Sequence, residues 1–115
     1  MGPLIIEHYE FDRYSIAGKT YTGDITIING EVGTWDRDDH LLYVDNVEEL
    51  VDANPEYIII GTGAFGALNV PNDVQTYIEG EKIKLIMAKT GKACEEFNRL
   101  SRQGKKVAAI LHGTC

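Results

Sequence analysis

At 115 residues, with 43% apolar and 25% charged side chains, the chain has the composition of one soluble globular domain, 1–115, and is neither disordered nor fibrous. Lys and Arg number 11 against 18 Asp and Glu, and the resulting net charge of -7 repels phosphate backbones and anionic membrane surfaces, so nucleic acid is not an expected partner. Two cysteines, Cys94 and Cys115, the lack of a secretory apolar region near Met1 and of any apolar run approaching ~20 residues predict a cytoplasmic protein with no membrane span.

Tyr9, Phe11, Tyr14 and Ile16 recur at period two and predict β structure, followed by a tight connection at Ala17-Gly18-Lys19 and a second run over 20–28. Asn29-Gly30 is a turn signal. Connections this short imply an antiparallel meander, because parallel pairing needs a far longer crossover. The stretch 31–42 reads as polar and irregular apart from Val32 and Trp35. Within it Asp36, Asp38, Asp39 and His40 offer metal-ligand atoms, but they lack the glycine and terminal glutamate of a calcium loop and a second histidine for zinc. A solvated acidic loop and no metal are expected. Asp45 or Asn46 can cap a helix through Val47, Leu50 and Val51, which Asn54-Pro55 ends.

The remainder alternates: strand 57–60, helix from 71 or 72 through 77, strand 83–87, helix 91–103, strand 106–111. Thr90 is the expected N-cap of the last helix and Gly104 its C′ residue. Ala93, Cys94, Phe97, Leu100 and Ser101 fall on its apolar side. Lys89, Lys92, Arg99, Arg102, Lys105 and Lys106 interleave with Glu95 and Glu96, so this late basic cluster reads as a solvated face rather than an anion patch. Right-handed crossovers make the three strands parallel and gather their exits along one edge. With the 57–60 strand in the middle, a crevice would open between Gly61 and His112, where open α/β sheets bind ligands.

Gly61-Thr62-Gly63-Ala64-Phe65-Gly66 has dinucleotide-type glycine spacing, yet Ala67-Leu68-Asn69-Val70-Pro71 separates the third glycine from any helix. No cofactor is expected. The candidate binding set is Gly61, Thr62, Gly63, Thr90, His112 and Thr114, whose backbone N–H and side-chain groups suit a small anionic or carbonyl ligand. The alternative is a strand exit that merely needs positive φ. His112 and Cys115 are the candidate catalytic residues, although a direct pair requires a turn at Gly113 and His112 also reads as a satisfied polar group at a strand end.

Trp35, Arg37 and His40, then Ile60-Gly61-Thr62-Gly63, Val70-Pro71, Thr90, Ala93, Asn98 and His112-Gly113-Thr114-Cys115 follow one another in an order that resembles the adipogenesis-associated domain family. That family includes a mitochondrial respiratory complex I assembly factor and many bacterial and archaeal members. The resemblance covers nearly the whole chain. It implies a three-layer α/β domain with a mixed central sheet and additional N-terminal antiparallel β structure, and it implies no established catalytic activity. Two functions are therefore carried forward: a non-enzymatic interaction or assembly-accessory protein with a protein partner, and a small-molecule site or enzyme using the crevice between the Gly61 loop and His112 to Cys115.

Overall fold

Tight turns with positive φ at Asp12, Gly18, Gly23 and Gly30 cut the first third into β1 (Ile6–Glu10), β2 (Arg13–Ile16), β3 (Lys19–Thr22), β4 (Ile25–Ile28) and β5 (Glu31–Thr34). The structure, a computed structural model, describes residues 3–35 and 40–115. Strands β1, β2 and β3 form an antiparallel sheet of their own, as the short turns require. The run expected over 20–28 is broken at Gly23-Asp24: Gly23 has φ +81° and donates its N–H to Asp12 Oδ1 at 2.8 Å, and the chain passes there from one sheet to the other. The segment expected to be irregular from Glu31 starts instead as β5, because the Asn29-Gly30 turn pairs Ile28 with Glu31 and Ile27 with Val32. Asp36, Arg37, Asp38 and Asp39 lie outside the described residues.

Beyond them follow α1 (Val44–Asp52), β6 (Tyr57–Gly61), α2 (Asn72–Gly80), β7 (Lys84–Ala88), α3 (Thr90–Arg102) and β8 (Val107–Leu111). Helix α1 is capped at Tyr43 rather than at Asp45 or Asn46. Asn46 instead reaches back with Oδ1 to accept the Tyr43 N–H at 2.8 Å, the returning half of a capping box. Lys89, not Thr90, is the N-cap of α3, since the Thr90 hydroxyl is engaged across the strand exits described below. Gly104 does terminate α3, with φ +77° and its N–H donating to Ser101 O at 3.0 Å.

The five-stranded sheet runs β5-β4-β8-β6-β7 and is mixed: β6 is parallel to both β8 and β7, while β4 is antiparallel to β8. Covered strands can be apolar on both faces, and Ile58, Ile59 and Ile60 are all fully buried. Ile58 and Ile60 pack with Val47 and Leu50 of α1 and Val74 and Ile78 of α2. Ile59 faces the other way, onto Ala93, Phe97 and Leu100 of α3 and Tyr14 and Ile16 of the small sheet. Each isoleucine so placed contributes about 1.5–3 kcal/mol of burial free energy. Asn98 on α3 holds the small sheet in place, accepting the Ile6 N–H and donating to Ile6 O, both at 2.8 Å. No helix among the described residues is long and apolar enough to cross a membrane.

Candidate functional site

With β6 between β8 and β7, the three strand exits meet as topology requires, and their backbone groups and threonine hydroxyls bond to one another. His112 donates its N–H to Gly61 O at 2.9 Å, and Thr62 donates its N–H to Ala88 O at 2.8 Å and its hydroxyl to the same oxygen at 3.2 Å. The Thr90 hydroxyl bridges the other two exits, accepting the Gly63 N–H at 2.9 Å and donating to His112 O at 2.7 Å. Thr90 N–H donates to Gly63 O at 3.0 Å, Ala64 N–H to Thr114 O at 2.8 Å, and the Phe65 and Ala67 N–H groups to Cys115 O at 3.1 and 3.0 Å.

Residues 112–115 thus lie in the place the sequence assigns to a ligand. A Cβ on Gly61 would meet Leu111 Cδ2 and Thr90 Oγ1 at 2.8 Å, and one on Gly63, whose φ is +106°, would overlap the backbone of Cys115. The glycines are needed for close approach of backbone to backbone. Gly61, Thr62, Gly63, Thr90, His112, Thr114 and Cys115 are therefore brought together, but as a mutually bonded seam.

A second cluster lies at the same end of β8. His112 has a fully buried side chain, and its Nδ1 is 2.7 Å from Asp24 Oδ1, which also accepts the Gly113 N–H at 3.0 Å. The Asp24 carboxylate accepts, so this bond places a proton on Nδ1, and Nε2 is buried with no hydrogen-bond partner among the described residues. The His40 ring stands edge-on to His112 at 5.6 Å between centroids, and Trp35 Nε1 donates to Leu111 O at 3.3 Å. Two of the motif residues, Trp35 and His40, are thereby drawn to His112, while Arg37 is outside the described residues. The Tyr14 hydroxyl, also buried without a partner, would sit 3.1 Å from a Cβ on Gly113. Burial above all, then the Cys94 and Tyr9 groups and the Asp24 and Asp12 carboxylates, push the Tyr14 hydroxyl well above the ordinary tyrosine range.

Sequence reasoning missed Asp24 and Tyr14 as neighbours of His112. The available signal was the glycine before Asp24, which marks a turn where an alternating run seemed continuous. Cys115 is exposed whereas His112 is not, so sulfur and imidazole occupy different environments. Burial first, then the nearby Glu95 charge, push the Cys94 thiol up to about 12, and a thiol held protonated is a packing group. Among the described residues no set of three or more His, Cys, Asp or Glu could hold a metal ion.

Two aromatic side chains stand on the outer surface of the seam. Phe65, 72% exposed, lies beside Phe11, 53% exposed, with ring centroids 6.2 Å apart. Further along, Thr62, Leu68, Val70, Gln75, Met87 and Ala88 line a shallow pocket of about 250 Å³.

A family model described as "Protein of unknown function (DUF498/DUF598)" matches residues 6–112, from the start of β1 to the buried histidine. The chain belongs to this family. Its match spans Asp24, Trp35, Thr90 and His112, and it ends before Gly113, Thr114 and Cys115. Among solved structures, the chain is similar to MT938 at 26% identity and a TM-score of 0.84, covering 97% of this chain and 99% of that one. It is similar to the conserved hypothetical protein PH1505 from Pyrococcus horikoshii OT3 at 24% identity and a TM-score of 0.86, covering 96% and 98%. A protein described as an outer membrane protein from Bartonella henselae shares the fold at 22% identity and a TM-score of 0.85, covering 99% and 98%. The α/β architecture with a mixed five-stranded sheet is thus that of this small family.

Proposed function

We propose that the chain is a cytoplasmic, non-enzymatic interaction or assembly-accessory protein that docks a protein partner on the rim above the strand exits. The observation that carries this reading is the pairing of Phe11 and Phe65: two large aromatic rings side by side, both more than half exposed, on a seam whose polar groups are already bonded to one another. Exposed aromatic anchors on a rigid base are what protein interfaces use for affinity. Resemblance to the adipogenesis-associated domain family, with its assembly-factor branch, leans the same way, and two unpaired cysteines suit a reducing compartment. Affinity capture from native extract is expected to recover a partner at stoichiometric levels. The double variant Phe11→Ser, Phe65→Ser should lose that partner at unchanged melting temperature, whereas repeated recovery of the protein alone would contradict the reading.

One observation favours a second reading, a site for a small anionic or carbonyl ligand between the Gly61 loop and the His112 to Cys115 segment. His112 Nε2 is buried without a hydrogen bond among the described residues, and the ring is oriented through Nδ1 by Asp24, as a proton donor or acceptor would be. A ligand present at about 100 times its dissociation constant adds about 2.7 kcal/mol of stability. Silence in thermal-shift screening across a broad metabolite library, or a shift that survives His112→Ala, would remove this site.

A further inference from the structure

Strand β7 forms one margin of the five-stranded sheet, with no strand paired beyond it among the described residues. Lys84 donates its N–H to Glu56 O and Ala88 O accepts from Thr62, so Lys84, Ile86 and Ala88 turn their backbone toward β6. In a parallel ladder the intervening residues then turn theirs away, which directs the N–H and C=O of Leu85 and Met87 to the open edge. Met87 is 42% exposed and, with Thr62, Leu68, Val70, Gln75 and Ala88, lines the pocket of about 250 Å³ that adjoins this edge. The charged side chains on the strand and just after it are basic: residues 82–94 contain Lys82, Lys84, Lys89 and Lys92 and no Asp or Glu, between Glu79 and Glu81 on one side and Glu95 and Glu96 on the other, in a chain of net charge -7.

We propose that β7 accepts an extended segment of the partner as a further strand of the sheet, apolar at its centre and acidic at both ends, with one apolar side chain seated in the pocket at Met87. This rests on the interaction reading above and names a surface and a chemistry for it. Strand addition draws affinity from backbone hydrogen bonds and selectivity from alternate side chains. Here the four outward groups of Leu85 and Met87 supply the first and the pocket with its flanking lysines the second. A second copy of this chain is the less suited occupant. Antiparallel pairing of β7 with itself about Ile86 would set Lys84 opposite Ala88 and bring no carboxylate to the lysines of either copy, leaving their charge uncompensated.

The test uses the full chain and labelled synthetic peptides read by fluorescence anisotropy: Asp-Asp-Val-Ile-Val-Asp-Asp, its Lys-flanked counterpart, and the acidic peptide N-methylated at its central residue. Saturable binding of the acidic peptide is expected, with the basic and N-methylated peptides each weaker by about tenfold or more. The double variant Lys84→Glu, Lys89→Glu should reverse the preference between acidic and basic peptides, and Met87→Pro, which removes an outward N–H at an edge, should abolish binding while the protein remains folded by circular dichroism. Equal binding of the acidic and basic peptides, or none at millimolar concentration, would overturn the proposal. So would growth of mass with concentration in sedimentation, which would show the edge occupied by another copy. Capture that still depends on Phe65 when the peptides fail would leave the interaction reading standing and remove only β7.

Discussion

Gly63 leaves no space for a side chain, because a Cβ there would overlap the Cys115 backbone and φ is +106°. Gly80, at the end of α2, meets nothing within 4 Å and has ordinary φ. Gly63→Ala is therefore expected to destabilise the fold by about 2–4 kcal/mol in urea titration, while Gly80→Ala is neutral or stabilising by up to about 1 kcal/mol. Titrating groups beside the small sheet set the alkaline limit. Burial raises Cys94 from 9.0 to about 12 and Tyr9 from 10.0 to about 12, and it raises Tyr14 as well. A group held protonated in the fold contributes stability that is complete below its unfolded value and is lost as pH rises through the folded one. Stability is accordingly expected to decline between pH 9 and 12, read as the urea midpoint across that range. Tyr14→Phe, which deletes a buried hydroxyl without a partner, should leave neutral-pH stability unchanged or higher and flatten the decline.

At the scale of elements, Asn98 joins α3 to β1 through a pair of hydrogen bonds to one residue, Ile6. Asn98→Leu is expected to cost about 1–3 kcal/mol and to speed amide exchange in β1 to β3 while β6 and β8 stay protected, measured residue by residue by NMR. Uniform acceleration across both sheets would show that the small sheet is not a separable unit. The alternating strands and helices from Tyr57 onward were legible in the sequence because apolar runs of strand length stand between strong punctuators, Asn54-Pro55, Pro71 and Gly104. The N-terminal division was not. Thr20 to Ile28 reads as one run with apolar residues at 21, 25 and 27, and at Gly23, with its positive φ, the chain passes to another sheet. The seam was half legible: topology placed Gly61 and His112 side by side, but whether the space between held a ligand or the chain's own backbone depended on hydrogen bonds of Thr90 and Thr114 that no local pattern encodes. Asp24 and His112 are 88 residues apart, and the glycine before Asp24 marks a turn without naming its partner.

In the molecule as a whole, a closed interior at the strand exits stands against exposed apolar side chains outside it. The parallel exits that would hold a ligand in an open α/β sheet are bonded to residues 112–115, and the exposed apolar groups Phe11, Phe65 and Met87 lie outside that seam. An excess of acid makes copies of the chain repel one another, while Lys82, Lys84, Lys89 and Lys92 concentrate positive charge along one margin. Association through that margin should weaken as salt rises from about 0.05 to 0.5 M, and docking on the aromatic rim should not. Native-state hydrogen exchange at the amides of Gly63, Ala64, Thr90 and His112 reports most directly on the seal. Exchange that occurs only with global unfolding is the expected result. Rapid exchange at these four while β6 remains protected would mean that the seam opens as a binding cleft, and the function would then have to be sought inside it.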